Sequence, residues 1–261
     1  MQPNRVKAAL KAGEVVSGPI IGEARSFGTV KLMAVAGHDF LFLDMEHAMF
    51  DWETMVNLVQ ASLLCDICPI VRVTDLSYQL VARALDTGAQ GVIIPRVDSR
   101  EQVEMAVSYA KYPPLGRRGA GGEARNGYER RDVLTALEES NRETLVVVQV
   151  ESLGAVEIID EIASVPGLDV VLIGPQDLSI SMGLHGQFTH PDFVATLQKV
   201  ADACAKHGVA TGMVEREATS QQRWYEMGMQ FLCTSTDSYM MLQSASNDVN
   251  TIREFTKKAA M

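Results

Sequence analysis

The chain has 261 residues, 47% of them apolar and 21% charged, with a formal net charge of −10. That length suits one large core, ~250 residues being typical of a single eight-fold α/β barrel. The acidic balance argues against a nucleic-acid or anionic-membrane partner. No apolar run reaches the ~18 residues of a membrane span, and the amino-terminal stretch does not read as a secretory leader, so a cytoplasmic enzyme is expected.

Pro3–Ala12 reads as a short leading helix ended by Gly13, after which strands and helices alternate. The first strand falls near Pro19–Glu23, followed by a helix from Gly28 to Ala36. Phe40–Leu43, Pro69–Val73 and Gly91–Pro95 follow as strands, separated by helices over Trp52–Leu64 and Ser77–Asp86, with a further helix at Arg100–Ala110. A polar, glycine-containing excursion then runs from Lys111 to about Arg130, and a short helix spans Arg131–Ser140. Leu145–Val150 and Asp169–Ile173 are too short for helices and rich in β-branched residues, as expected of strands buried on both faces, and Ser152–Ala163 between them has helical spacing. Pro191–Lys206 is a helix, Val209–Met213 a strand, Ala218–Met227 a helix, Gln230–Thr234 a strand, and Ser238 onward mostly helical. Eight strands separated by helices, with no shift in composition, predict a single (β/α)₈ barrel domain. An open doubly wound sheet would normally carry G-x-G-x-x-G after its first strand, and Gly22–Gly28 does not match it.

Polar residues gather just past the carboxyl ends of the predicted strands, where barrel enzymes place their chemistry. Asp44, Glu46 and His47 follow the second strand, Arg72 interrupts the apolar PIVRV of the third, and Pro95 and Arg96 follow the fourth. The fifth strand delivers Gln149 and Glu151, on one face by the two-residue period, and the sixth leads through Gly174-Pro175-Gln176 to Asp177. Two carboxylates on neighbouring strand ends suit a hard divalent cation with positions open to substrate, although the same acids, with Ser152, could simply charge and cap helix N-termini. Arg72 could be a buried ion-pair partner rather than a substrate contact. Asp44 is close enough in sequence to orient the His47 imidazole for proton transfer, and Glu46 reads as a supporting or structural carboxylate. Asp86 closes a helix, where a negative charge opposes the dipole and calls for a partner. His185, His190 and His207 read as surface histidines, and Cys65, Cys68, Cys204 and Cys233 as inert thiols. No lysine falls within a predicted strand or at its carboxyl end, which removes Schiff-base chemistry, and no G-x-S-x-G occurs. Metal-assisted polarisation of an oxygen-rich substrate remains.

FLFLDMEHA at Phe40–Ala48, PIVRV at Pro69–Val73, LDTGAQGVIIP at Leu85–Pro95, PPLGRRG at Pro113–Gly119, VQVE at Val148–Glu151 and IGPQDLSISMG at Ile173–Gly183 together resemble the metal-dependent pyruvate aldolases of the HpcH/HpaI family, from about residue 17 to 242. The resemblance implies a class II aldolase that reversibly cleaves a 4-hydroxy-2-oxo acid into pyruvate and an aldehyde through a metal-bound enolate. By it, Glu151 and Asp177 hold Mg²⁺, Mn²⁺ or Co²⁺, and Arg72 contacts the keto and enolate oxygen. Gln149 lines the pyruvate site, and backbone amides around Gln176 and Asp177 hold the pyruvate carboxylate. His47, oriented by Asp44, serves proton transfer with Asp86 as a supporting carboxylate. The resemblance also implies a homo-oligomer, a hexamer built from dimers, with the last helix packed on a neighbouring subunit. Glu23-Ala24-Arg25 and Gly121–Arg131 depart from the usual family pattern and are expected near the mouth, beside the acceptor aldehyde or a neighbouring subunit. Oxaloacetate decarboxylation or lysis of a CoA thioester at the same site is the alternative reaction, and a barrel kept only for binding or assembly is the third reading.

Overall fold

The computed structural model describes residues 2–258. In chain order the elements are α1 (Arg5–Lys11), β1 (Val16–Ile21), α2 (Phe27–Val35), β2 (Phe40–Asp44), α3 (Trp52–Leu64), β3 (Cys68–Arg72), α4 (Tyr78–Asp86), β4 (Gly91–Ile94) and α5 (Arg100–Ala110). After a 3₁₀ turn at Ala124–Asn126 come α6 (Val133–Glu143), β5 (Leu145–Val150), α7 (Leu153–Glu157), α8 (Ile159–Ala163) and β6 (Val170–Ile173). The chain closes with α9 (Pro175–Ser181), α10 (Pro191–His207), β7 (Ala210–Val214), α11 (Ala218–Glu226), β8 (Phe231–Thr236) and α12 (Asp237–Lys258). The strands run parallel in sequence order, and β8 pairs with β1 to close the barrel.

Strand alternation divides the core in two. Phe40, Phe42, Ile70, Leu145, Val147 and Phe231 point into the barrel, whereas Leu41, Leu43, Val71, Val146 and Val148 face the helical shell. Phe40 and Phe231 stack inside with centroids 4.3 Å apart. Glycine at 212 is required by this filling, since a Cβ there would sit 1.8 Å from the Phe231 carbonyl oxygen. Val6 and Leu10 of α1 join the interior cluster, so the leading helix plugs the amino-terminal end of the barrel. Chemistry is left to the carboxyl-terminal end.

Most predicted elements are present, with informative differences. The first strand lies earlier than expected, at Val16–Ile21, because its register is set by β8 through Val16–Phe231 and Gly18–Cys233. The helix expected over Ser152–Ala163 is divided at Ile158, which adopts φ −103° and ψ 20°. The excursion around Gly121–Arg131 lies at the amino-terminal end, not at the mouth. It follows a helix that returns to that end, Arg118 donates to Asp86 at the end of α4, and Ala124 comes close to Gly88 before β4. The four cysteines are free, and burial raises the thiol pKa values of Cys68, Cys204 and Cys233, consistent with inert thiols. Among the described residues no helix is long and apolar enough to cross a membrane.

Candidate active site

The carboxyl-terminal end of the barrel holds a cavity of about 360 Å³ whose walls include His47, Arg72, Gln149, Glu151, Gln176 and Asp177. An adjoining hollow of about 260 Å³ at the mouth is bounded by Glu46, Arg96 and Asp98 together with His47, Glu151 and Asp177.

Arg72 is the last residue of β3, in register with Asp44 at the end of β2. Its Nε and Nη2 donate to the two Asp44 carboxylate oxygens at 2.9 and 2.7 Å, a bidentate pair. Nη1 donates to Gln149 Oε1 at 3.3 Å and lies 3.1 Å from Glu46 Oε2, and the guanidinium sits 5.0 Å from the Phe42 ring centroid. Burial alone would pull the Arg72 pKa down, but Asp44, Glu46 and Glu151 overcome it and raise it. The arginine is therefore a fixed cation at the floor of the cavity.

Gln149 and Glu151 lie on one side of their segment, as the strand period predicts, and Gln149 Nε2 donates to Glu151 Oε1 at 3.0 Å. The Arg96 backbone N–H donates to Glu151 Oε2 at 3.2 Å. Arg96 takes a left-handed backbone, φ 51°, and its Nη1 lies 2.9 Å from Glu46 Oε1. Gly174 makes room for the carboxylate, because a Cβ there would fall 2.3 Å from Glu151 Oε1. Burial, then Asp177 and Glu46, push the Glu151 carboxyl up to about 7, against the pull of Arg72. The Asp177 side chain, in the first turn of α9, lines the same cavity and makes no hydrogen bond or ion pair among the described residues. Two acids with oxygen donors thus share one cavity wall, a donor set that fits a hard divalent metal. Among the described residues no three His, Cys, Asp or Glu side chains are gathered as a metal cage. Glu151 and Asp177 are the acids on this wall that could hold such a cation.

Two expected pairings are corrected by the structure. Asp44 does not orient the His47 imidazole: both its carboxylate oxygens are taken by Arg72, and Oδ1 also accepts the backbone N–H groups of Glu46 and His47. The imidazole is largely exposed, with Nε2 3.9 Å from Glu46 Oε2, so Glu46 is its nearest acid. Asp86 does not support this site within the chain. It ends a helix running toward the amino-terminal face, where Arg118 Nη2 donates to it at 2.7 Å.

A family model, HpcH/HpaI aldolase/citrate lyase, matches residues 25–244. The chain belongs to the HpcH/HpaI family. It is 34% identical over 241 residues to a hydroxypyruvate/pyruvate aldolase of Pseudomonas aeruginosa, covering 92% of this chain and 90% of that protein. Identity is 32% over 235 residues to a 5-keto-4-deoxy-D-glucarate aldolase of Escherichia coli K12, covering 90% and 91% of the two chains. The structure superposes with a TM-score of 0.92 on an HpcH/HpaI aldolase from Desulfitobacterium hafniense DCB-2, 34% identical, across 95% of this chain and 96% of the other. This HpcH/HpaI chain is accordingly an enzyme, a carbon–carbon lyase of the aldolase type.

Sequence reasoning undervalued Glu46, which links Arg72 to Arg96 across the mouth, and missed the wall that β7 and β8 give this aldolase. There Glu215, Arg216, Thr234, Ser235 and Thr236 face the cavity. The hydroxyls of Thr234 and Ser235 are buried without a hydrogen-bond partner among the described residues. A polar Thr-Ser-Thr ending the last strand was the available signal. Asp237, which opens α12, accepts the backbone N–H groups of Gly22, Glu23 and Ala24 and so fixes the loop after β1.

Proposed function

We propose that the enzyme reversibly cleaves a 4-hydroxy-2-oxo acid into pyruvate and an aldehyde, with Glu151 and Asp177 holding a divalent cation of the Mg²⁺, Mn²⁺ or Co²⁺ type. The observation that carries this reading is the fixed Arg72 cation facing the Glu151–Asp177 carboxylate pair across one cavity. A bound cation supplies Lewis acidity toward the oxygens of the oxo acid. The two aldolase relatives, named for hydroxypyruvate/pyruvate and for 5-keto-4-deoxy-D-glucarate, are consistent with an oxo-acid substrate.

The residues divide the remaining work. First-turn N–H groups of α9 at Gln176 and Asp177, which lack intrahelical acceptors, receive the substrate carboxylate. Gln149 packs against the same oxo acid, held by its bonds to Arg72 and Glu151. His47 removes the proton of the C4 hydroxyl as the C3–C4 bond breaks. The electron pair passes through C3 to the C2 oxygen, where the Arg72 guanidinium stabilises the enolate, and protonation of C3 completes pyruvate. Addition of the aldehyde runs the same steps backward. The exposed apolar side chains of α12, among them Met241, Leu242, Val249, Ile252 and Phe255, support assembly as a homo-oligomer, a hexamer in the form proposed.

Purified enzyme stripped with a chelator should lose retro-aldol activity on 4-hydroxy-2-oxo acids and regain it with Mg²⁺, Mn²⁺ or Co²⁺. Activity undiminished in metal-free protein would overturn the reading. A kcat/KM for oxaloacetate far above that for every hydroxy-oxo acid tried would replace it with decarboxylation.

A further inference from the structure

A second cavity, of about 330 Å³, lies at the opposite end of the barrel under β5, β6 and β7. Its charged lining is Lys7, Lys11, Lys111 and Arg142 with one acid, Asp169, a cationic wall in a chain whose net charge is −10. Lys7 and Lys11 stand four residues apart on α1, on one face of the helix. Lys7 Nζ bonds Asp169 Oδ2 at 2.9 Å and the Thr144 carbonyl at 2.7 Å. Lys111, almost fully buried, donates to the Asn141 and Thr144 carbonyls, both at 2.7 Å. Arg142 pairs with Glu143, whereas Lys11 and Lys111 form no ion pair among the described residues. The helix-end carbonyls that would repel an anion are thus already occupied, and a protonated Lys111 keeps one N–H beyond them.

We propose that this cavity is a binding site for a phosphate-sized oxyanion, held by Lys7, Lys11 and Lys111 and separate from the proposed catalytic centre. Asp169 matches Lys7, but buried Lys111 has no ion pair among the described residues and Lys11 adds a third ammonium, so an oxyanion among the three amines would offset the excess charge while accepting several charge-assisted hydrogen bonds. Burial, then the neighbouring Lys7, push the Lys111 ammonium down to about 7 against the pull of Asp169, and an anion bound beside it would favour the charged form. Bound there, the anion would tie α1 and the segment after α5 to the ends of β5–β7.

The test compares inorganic phosphate with chloride at equal ionic strength, without added divalent cation, by calorimetry and thermal unfolding. Saturable binding of about one phosphate per chain and a higher midpoint than in chloride are expected. Lys11→Gln removes only an exposed side chain and should weaken phosphate binding about tenfold, the scale of one charge-assisted bond. Lys11→Glu should abolish it, and Glu151→Gln, at the other end of the barrel, should leave it unchanged. Equal midpoints in phosphate and chloride, or full phosphate affinity in Lys11→Glu, would leave the lysines a purely structural role and overturn the proposal.

Discussion

Arg72 is buried between two carboxylates and a glutamine, and Asp44 fixes the plane in which the proposed mechanism needs it beside an enolate oxygen. Replacing it with alanine should lower kcat by about 10²–10³, the scale of one lost oxyanion donor. Arg72→Lys should recover little, since a single ammonium cannot bond Asp44 through two donors and Gln149 through a third in the same plane. Steady-state kinetics, with circular dichroism to confirm folding, checks both. Gly174→Ala should act without removing any functional group. Its Cβ would meet Glu151 Oε1 at 2.3 Å, and an ångström-scale displacement of that carboxylate is expected to cost about 10²-fold in kcat at near-native thermal stability. That Arg72, Glu151 and Asp177 would line one cavity was legible in the sequence because all three fall at the carboxyl ends of predicted strands. The Asp44–His47 pairing misled because proximity along the chain says nothing of direction. Asp44 turns back to cap its own loop and reaches across to β3, and the imidazole is left facing outward beside Glu46.

At the level of elements, the alternation of strands and helices was readable throughout because each barrel strand is a short apolar run with punctuation at both ends. Bounds failed where a partner strand decides them, as with β1, whose register is imposed by β8, the element farthest from it among the strands in sequence. The segment after α5 was placed at the wrong end because length and polarity mark a loop as unusual but carry no direction. The direction follows from counting helices back to the amino-terminal face. Asp237 shows the reverse case, a residue unremarkable in sequence that joins α12 to the loop after β1 through three backbone donors. Asp237→Ala would leave those N–H groups without an acceptor. It should destabilise the fold by about 1–3 kcal/mol in chemical denaturation and raise hydrogen exchange at Gly22–Ala24.

Across the whole molecule, Lys111 couples stability to pH. Lys7 and Lys11 of α1, Asp169 before β6 and the Asn141 and Thr144 carbonyls face it, and burial dominates the lowering of its pKa from 10.5 to about 7. The unfolded chain therefore binds more protons than the folded one between those values, and stability in chloride buffer should rise with pH across that window. The slope contributed is up to about 1.4 kcal/mol per pH unit, and it should disappear in Lys111→Met. Chemical denaturation at several pH values measures it. The proposed assembly is open to its own test. The apolar side chains left exposed on α12 and on α2, including Phe27, Leu32 and Val35, should be covered in solution, and light scattering should find a multiple of the 28.5 kDa chain.

In the direction of aldehyde addition the proposed chemistry begins with proton transfer at the pyruvate methyl, and that step can be watched without knowing the aldehyde. Proton NMR of pyruvate in D₂O, with Mg²⁺ or Mn²⁺ and catalytic amounts of enzyme, should show loss of the methyl signal through deuterium exchange. Chelator, Glu151→Gln or Arg72→Ala should suppress it. Methyl exchange continuing at the wild-type rate in Glu151→Gln, or after complete removal of divalent metal, would contradict the assignment of these residues.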